Sequence, residues 1–487
     1  MIDRRSFIAG TAALAAAPAA AQIGAPATIR FRPPVPAPGE MPSLRPVAAD
    51  RRFTSRAVER EIVRVSKGIA DPKLRWMFGN CYPNTLDTTV TMRTIGGAPD
   101  AFVITGDIPC LWLRDSAAQL RPYLHLVRDD APLAELFRGL IGRQARSVLI
   151  DPYANAFMED PGAPTNLSWA LADKTLMKPG VAERKWEIDS LCYFLRLSHD
   201  YWQATRDPRP FTTEWAAAAR AVIATFRAQQ RIDGPGPYRF QRNAGQPIET
   251  LLEGLGNPTR PNGMIHSMFR PSDDACLYSL FVPANLFAVT TLRELAAIAI
   301  GARGDAALAS DAAALADEVE RATTEHGRMR LADGSDVWAY EVDGFGNAVF
   351  MDDANVPSLL GLAFLGCVSP DDPRWQRTAA AVWSDRNPWF IRGRAAEGVG
   401  GPHVGRNQVW PMSMIVRAFS TADEQVIRAM LRQLRDTDGG TGLIHEAFEA
   451  DDPSRFTREW FAWANGLFGQ LIVHLHRTRP ALLGAAL

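Results

Sequence analysis

Trp112, Arg114 and Asp115 fall within four residues, where a polar turn carrying Pro109 gives way to a helical pattern inside Gly106–Tyr123. An indole face covers the apolar side of a pyranose ring. A guanidinium and a carboxylate take the ring's hydroxyls through charge-assisted hydrogen bonds. A capped helix carrying an Arg114–Asp115 ion pair is the structural alternative.

Acidic residues recur at comparable junctions: Trp186-Glu187-Ile188-Asp189-Ser190, Arg270-Pro271-Ser272-Asp273-Asp274-Ala275, Met351-Asp352-Asp353-Ala354-Asn355 and His445-Glu446-Ala447-Phe448. Capping and the helix dipole account for any one of them. Arg114, Arg270, His403, Trp410, Trp460 and Asn465 stand in similar places, and a rim lined this way is a polar, aromatic-walled pocket. Two carboxylates facing each other across such a pocket perform glycoside hydrolysis: one donates a proton to the leaving oxygen, the other takes one from water.

Other chemistries find less support. His445-Glu446 has no second histidine at zincin spacing, and the Asp-Asp pairs at 273–274, 352–353 and 451–452 lack an EF-hand pattern. The Gly-rich run Gly398-Val399-Gly400-Gly401 has no strand–loop–helix setting and reads as a plain loop. The chemistry as read calls for no metal and no cofactor. A formal net charge of −1 without a basic tract gives nucleic-acid binding no electrostatic support.

The elements that must position these residues are mostly helices. Apolar spacing marks them at roughly 51–70, 113–128, 131–150, 187–205, 212–230, 274–300, 305–324, 356–366, 372–384, 408–420, 422–436 and 459–477, with β-hairpins at 88–105 and near 329–350. Twelve helices in sequential pairs fit an all-α (α/α)6 barrel with small β-hairpin insertions, whose rim loops share one pocket. A superhelical solenoid is the alternative. Ser272 as a helix cap would make Asp273 the first helical residue, nearer the pocket mouth.

The 487 residues are 47% hydrophobic, enough for a large core, and the 13 tryptophans favour carbohydrate platforms mildly. Cys81, Cys110, Cys192, Cys276 and Cys367 are odd in number and scattered, as free buried thiols would be. Residues 1–21 read as a signal peptide of twin-arginine type: Arg4-Arg5 precede a short apolar run and a small-residue cleavage site. An exported, periplasmic protein follows, with no membrane insertion in its mature form, since no other segment reads as apolar enough to anchor it. Residues 22–50 are a Pro-rich linker or surface strap, and residues 51–487 form the catalytic domain, with order beginning near Arg51.

Several stretches resemble glycoside hydrolase family 125: GDIPCLWLRDSAAQLRPYL (106–124), DPYANAF (151–157), KWEIDSLCY (185–193), FRPSDDA (269–275), FMDDANVPSLLGL (350–362), GPH (401–403), VWPMSMI (409–415), HEAF (445–448) and WFAWANGLF (460–468). They run in order from about residue 70 to 470. The resemblance implies an (α/α)6 barrel and a metal-independent, inverting exo-α-mannosidase acting on α-1,6-linked mannose in oligosaccharides or glycans. It implies a general acid at Asp273 or Asp274 and a general base at Glu446; of the two aspartates, the Ser272 cap favours Asp273. Trp112, Arg114, Asp115, Asp189, Arg270, Asp353, Asn355, His403, Trp410 and Trp460 would then hold substrate. The Gly- and Pro-rich insert Gly234–Gly263 matches no motif and is expected to reshape the pocket mouth.

Overall fold

The structure, a computed structural model, describes residues 31–37, 39–243 and 246–487. Residues 1–21, read from the sequence as a signal segment, and residues 22–30 of the expected linker lie outside the described residues. Among the described residues the fold is mostly helical, with six sheets of two or three short antiparallel strands.

Five helices stand at its centre: Leu113–Leu120, Ile188–Thr205, Val282–Arg303, Pro411–Phe419 and Ala462–Thr478. Leu113–Leu120 packs on Ile188–Thr205, which packs on Val282–Arg303. The 3-10 turn Leu360–Leu362 bridges Val282–Arg303 to Pro411–Phe419, which packs on Ala462–Thr478, and that helix returns to Leu113–Leu120. The other helices lie against this set. Ala131–Ile150 meets Thr213–Gln230, which meets Ala306–His326. Glu424–Asp436 covers Pro411–Phe419, while Arg56–Lys67 and Pro72–Cys81 cover Ala462–Thr478.

The two sets of helices start differently. The outer helices of ten residues or more begin with a side-chain cap: Ser55, Asp71, Asp130, Thr212, Asp305, Asp372 and Asp423 each accept a backbone N–H of the first turn. Each such cap stabilises its helix by about 1 kcal/mol. The five central helices have none. Their first N–H groups are satisfied by neighbouring chain instead. Leu113 N donates to Asn155 O (3.1 Å), Val282 N to Tyr340 O (3.0 Å), Ala462 N to Thr105 O (3.1 Å) and Trp410 N to Val399 O (3.1 Å), while Ile188 N uses Ser267 Oγ (3.2 Å). Two-residue strands bring those acceptors into place: Leu111–Trp112 pairs with Ala156–Phe157, and Leu280–Phe281 with Glu341–Val342. The N-cap positions are thus released from capping, and they hold Trp112, Glu187, Phe281, Trp410 and Phe461. Large functional side chains can stand there because the backbone is already paired.

Four expectations need correction. The helix read from 274 starts at Val282, because the polar run Arg270–Ala275 folds back on itself, with Asp273 N donating to Arg270 O and Arg270 N to Asp274 O. Ser272 caps nothing: its hydroxyl donates to Asp353 Oδ2 at 2.9 Å, and Asp273 takes a left-handed φ of +67°. The segment 356–366 is helical only over Leu360–Leu362, since the buried Asp352 carboxylate accepts the N–H groups of Leu359 and Leu360 and holds a loop instead. Val282–Arg303 is, by length and composition, apolar enough to cross a membrane, although no such segment was expected. It owes that composition to burial between Ile188–Thr205 and Ala306–His326.

Order begins before Arg51. Leu44 is buried and its N–H donates to Asn80 Oδ1 (3.1 Å), Arg45 bonds Asp87 and Glu59, and Phe31 meets Trp460 edge-on with ring centres 5.3 Å apart. The five cysteines are unpaired.

Candidate active site

The N-terminal ends of the central helices and the loops before them line one pocket. Trp112, Arg114 and Asp115 come from the start of Leu113–Leu120, and Asp273 with Pro271 and Ser272 from the loop before Leu280. Asn355 and His403 come from loops, Trp410 from the start of Pro411–Phe419, and Glu446 from the turn before strand Ala447–Glu449. Thr105, Ile108, Arg458, Phe461 and Trp463 complete the wall.

Eight of the thirteen residues singled out in the sequence are therefore in the lining: Trp112, Arg114, Asp115, Asp273, Asn355, His403, Trp410 and Glu446. Five are not. Asp189 lies behind Arg114, whose Nη1 it meets at 3.0 Å. Arg270 is buried and donates to Glu341 at 2.7 Å. Asp353 is buried and accepts from Ser272, and Arg270 lies close enough to oppose the upward push of burial, leaving its carboxyl at about 6. Asp274 is 1% exposed and its Oδ1 lies 3.1 Å from His403 Nδ1. Trp460 is covered by Phe31, and its Nε1 donates to Asn84 Oδ1 at 3.2 Å.

The adjacent aspartates are thereby separated. Asp273 faces the pocket with 27% of its side chain exposed, while Asp274 is committed to the imidazole. Burial alone would lower the His403 ring; the hydrogen bond and charge of Asp274, with Glu446 and Asp273 beyond, raise it to about 9. His403 is an imidazolium at neutral pH.

Arg114, 3% exposed, anchors the acidic side. It reaches Glu187 at 2.6 Å, Asp189 at 3.0 Å, and Asp115 and Asp273 at 3.6 Å. Burial would raise the Asp273 carboxyl, yet Lys185, Arg114, a hydrogen bond from Glu187 and His403 together hold it down to about 2. Burial outweighs Arg114 at Glu187 and pushes that carboxyl well above its usual range, helped by the Asp273 charge. Asp115 is pushed up to about 6 by burial, against Arg114 and Arg458.

Across the pocket, Glu446 is held at both oxygens. Thr457 Oγ1 donates to Oε2 at 3.0 Å, and Arg458 Nη1 approaches Oε1 at 3.5 Å. Arg458 is itself fixed by Asp107 and by Thr105 Oγ1 at 3.2 Å, and it sits 4.4 Å over the Phe461 ring. It has a left-handed φ of +51°. Asp273 and Arg458 are both non-glycine residues in this costly region, where strain gathers at functional sites.

Three lining donors, Trp112 Nε1, Trp410 Nε1 and Asn355 Nδ2, are buried and meet no partner among the described residues. Each such donor costs about 1–3 kcal/mol unless a ligand oxygen takes it. A polyhydroxylated ligand is the matching chemistry.

Sequence reasoning missed Arg458, whose stretch carried no quoted motif, and Glu187, Lys185 and Asn155, which stood inside quoted motifs without a role. The described residues of the insert Gly234–Gly263 contribute nothing to the lining. It supports the Asp273 loop from behind: Ala275 N donates to Ile248 O (2.6 Å) and Asn257 Nδ2 to Leu277 O (2.9 Å).

A concave, aromatic-walled pocket with carboxylates on opposite elements and free donors defines a carbohydrate-active protein of glycoside hydrolase type. Residues 71–473 match the metal-independent α-mannosidase family, GH125, and the chain belongs to that family. The meiotically up-regulated gene 157 protein of Schizosaccharomyces pombe is 41% identical over 468 residues, covering 92% of this chain and 91% of its own. A metal-independent α-mannosidase of Streptococcus pneumoniae, solved in a non-productive complex with α-1,6-mannobiose, superposes with a TM-score of 0.84 at 38% identity over 88% of this chain and all of its own. A bacterial glucoamylase bound to acarbose shares the fold alone, with a TM-score of 0.51 and 13% identity over 86% of this chain and 58% of its own.

Proposed function

We propose that this α-mannosidase removes terminal α-1,6-linked mannose from oligosaccharides, exo-acting and with inversion of configuration. The observation that carries the reading is the placement of Asp273 and Glu446 in one pocket, on loops from different parts of the chain. Asp273, ionised in the free enzyme, hands a proton taken from its surroundings to the glycosidic oxygen as the C1–O bond breaks. Glu446, held by Thr457 and Arg458, takes a proton from the water that attacks C1 from the opposite face. Trp112 and Trp410 cover the sugar ring, with Asn355 and Asp115 on its hydroxyls. His403 keeps positive charge near both carboxylates. The α-1,6-mannobiose complex of the 38% identical enzyme supports the choice of linkage.

The order in which the central helices touch, together with the fold shared with the glucoamylase, supports an (α/α)6 barrel in which Leu360–Leu362 takes the place of a sixth inner helix. Export rests on Arg4-Arg5 and the apolar run after them; recovery of activity only in the cytoplasmic fraction of a producing cell would remove it.

Proton NMR of α-1,6-mannobiose with enzyme and chelator tests the reaction. β-Mannose appearing first is the expected result. α-Mannose first means retention and removes Glu446 as base, and no cleavage removes the linkage.

A further inference from the structure

Arg114 meets four carboxylates within 3.6 Å, those of Asp115, Glu187, Asp189 and Asp273. One guanidinium cannot neutralise three buried carboxylates and the part-exposed Asp273. The next cations, Lys185, whose ammonium bonds the Asp273 carbonyl oxygen at 2.7 Å, and His403 act on Asp273 and leave the buried Glu187 and Asp189 to Arg114. Protons must supply the remaining compensation.

Their place follows from the contacts of Glu187, which is fully buried. Its Oε2 accepts from Arg114 Nη1 (2.6 Å) and Ser190 Oγ (2.9 Å). Its Oε1 accepts only a long bond from Asn155 Nδ2 (3.4 Å), an amide nitrogen that also reaches Asp273 Oδ1 (3.3 Å) and, more closely, Glu183 Oε2 (3.1 Å). Oε2 is therefore filled by close donors, and Oε1, which has only the long amide contact, is the oxygen left to carry hydrogen in the side-chain hydrogen bond between Glu187 and Asp273. Tyr238 and Glu183 complete the surroundings on that side; the Tyr238 hydroxyl is turned to Arg184 O (2.8 Å), and Glu183 is paired with Arg242 (2.8 Å). Across the pocket stand His403, Glu446 and Arg458.

We propose that Glu187 is a positioning residue that shares one proton with Asp273 and supplies it during the reaction. The proposal rests on Asp273 as general acid. As the glycosidic C1–O bond breaks, the one shared proton moves from Glu187 Oε1 to Asp273 and from Asp273 to the leaving oxygen. Glu446 meanwhile takes a proton from water as the new C1–O bond forms. Glu446 is left protonated and Glu187 ionised, and transfer of one proton through solvent restores both. The opposite displacements of the two carboxyls, Glu187 up and Asp273 down, agree with one proton held mainly on Glu187 in the resting enzyme.

Glu187→Gln removes that proton and keeps the shape. With α-1,6-mannobiose, the alkaline limb of kcat/KM should move down by at least about one pH unit. Activity at neutral pH should fall on the order of 100-fold or more. Dinitrophenyl α-mannoside, whose leaving group needs no acid, should be cleaved within about fivefold of the wild-type rate. Asp273→Asn should show the same substrate split without any acid-side recovery. An alkaline limb that stays in place, or an equal loss on both substrates, overturns the proposal. If the Gln variant does not fold, carbon-13 NMR of the wild type labelled in its glutamate carboxyls decides. Apart from Glu294, itself raised to about 7 by burial, one glutamate must remain protonated at pH 7 and lose its proton along the alkaline limb; absence of that signal also overturns it. Failure of the wild type to cleave mannobiose is a separate result and concerns the reaction itself.

Discussion

Asp274 Oδ1 lies 3.1 Å from His403 Nδ1, while Asp273, one residue earlier, faces the pocket. The left-handed backbone at Asp273 turns the two side chains apart. Two identical neighbours thereby receive different settings: one is exposed to the pocket, the other is paired with a histidine.

Asp273→Asn should reduce mannobiose hydrolysis on the order of 100- to 10,000-fold, the usual contribution of a general acid. Asp274→Asn should act through His403 instead. Histidine NMR should show the His403 titration fall from about 9 toward the usual histidine range, since its strongest raising partner is lost. A His403 midpoint that does not move would remove Asp274 from this role.

The same pair makes stability depend on pH. The His403 pKa is raised on folding, so its contribution is complete below the unfolded value of about 6.5 and is lost as pH rises through about 9. Thermal melts between pH 6 and 10 should show a decline on the alkaline side for the wild type that is smaller in His403→Gln.

Glu446→Gln should abolish turnover while leaving mannobiose binding measurable by calorimetry, because the amide retains contacts to Thr457 and Arg458 but accepts no proton from water. Retained hydrolysis would place the base elsewhere.

Asn355→Ala removes a buried donor that has no partner among the described residues. The free enzyme should be unchanged or slightly more stable, whereas mannobiose affinity should fall by about 1 kcal/mol or more, a factor of roughly five. A variant destabilised without loss of affinity would assign Asn355 a structural role.

Arg45→Met tests the strap. Arg45 donates to Asp87 at 2.6 Å, and the Asp87 side chain is 2% exposed, so the variant leaves a buried carboxylate with Arg51 3.7 Å away as the nearest cation. The expected loss is about 3 kcal/mol in denaturant unfolding, with KM unchanged.

Much of the fold was readable because its physics is local. The helices Ala131–Ile150, Thr213–Gln230 and Ala306–His326 match their apolar spacing to within two residues, and side-chain caps mark their starts. The short helices Pro72–Cys81 and Asn84–Thr88 escaped notice because few turns give little periodic signal. The failure at Asp352 was of another kind: its carboxylate accepts N–H groups seven and eight residues on, an organisation without period.

The sequence by itself determined the chemistry available. Carboxylates, tryptophans and arginines at helix junctions, in an order matching one family, pointed to a glycoside-cleaving pocket. Only the tertiary structure decided which of them share it. The starts of the central helices are capped by backbone and hydroxyl groups far along the chain, so no local pattern reveals that those positions are free for function. Whether Trp460 faces sugar or lies under Phe31, and whether Arg458 reaches Glu446, depends on contacts across more than 400 residues in the first case and on a strained turn in the second. Separation in sequence carries no distance in space, and the pocket is made of such separations.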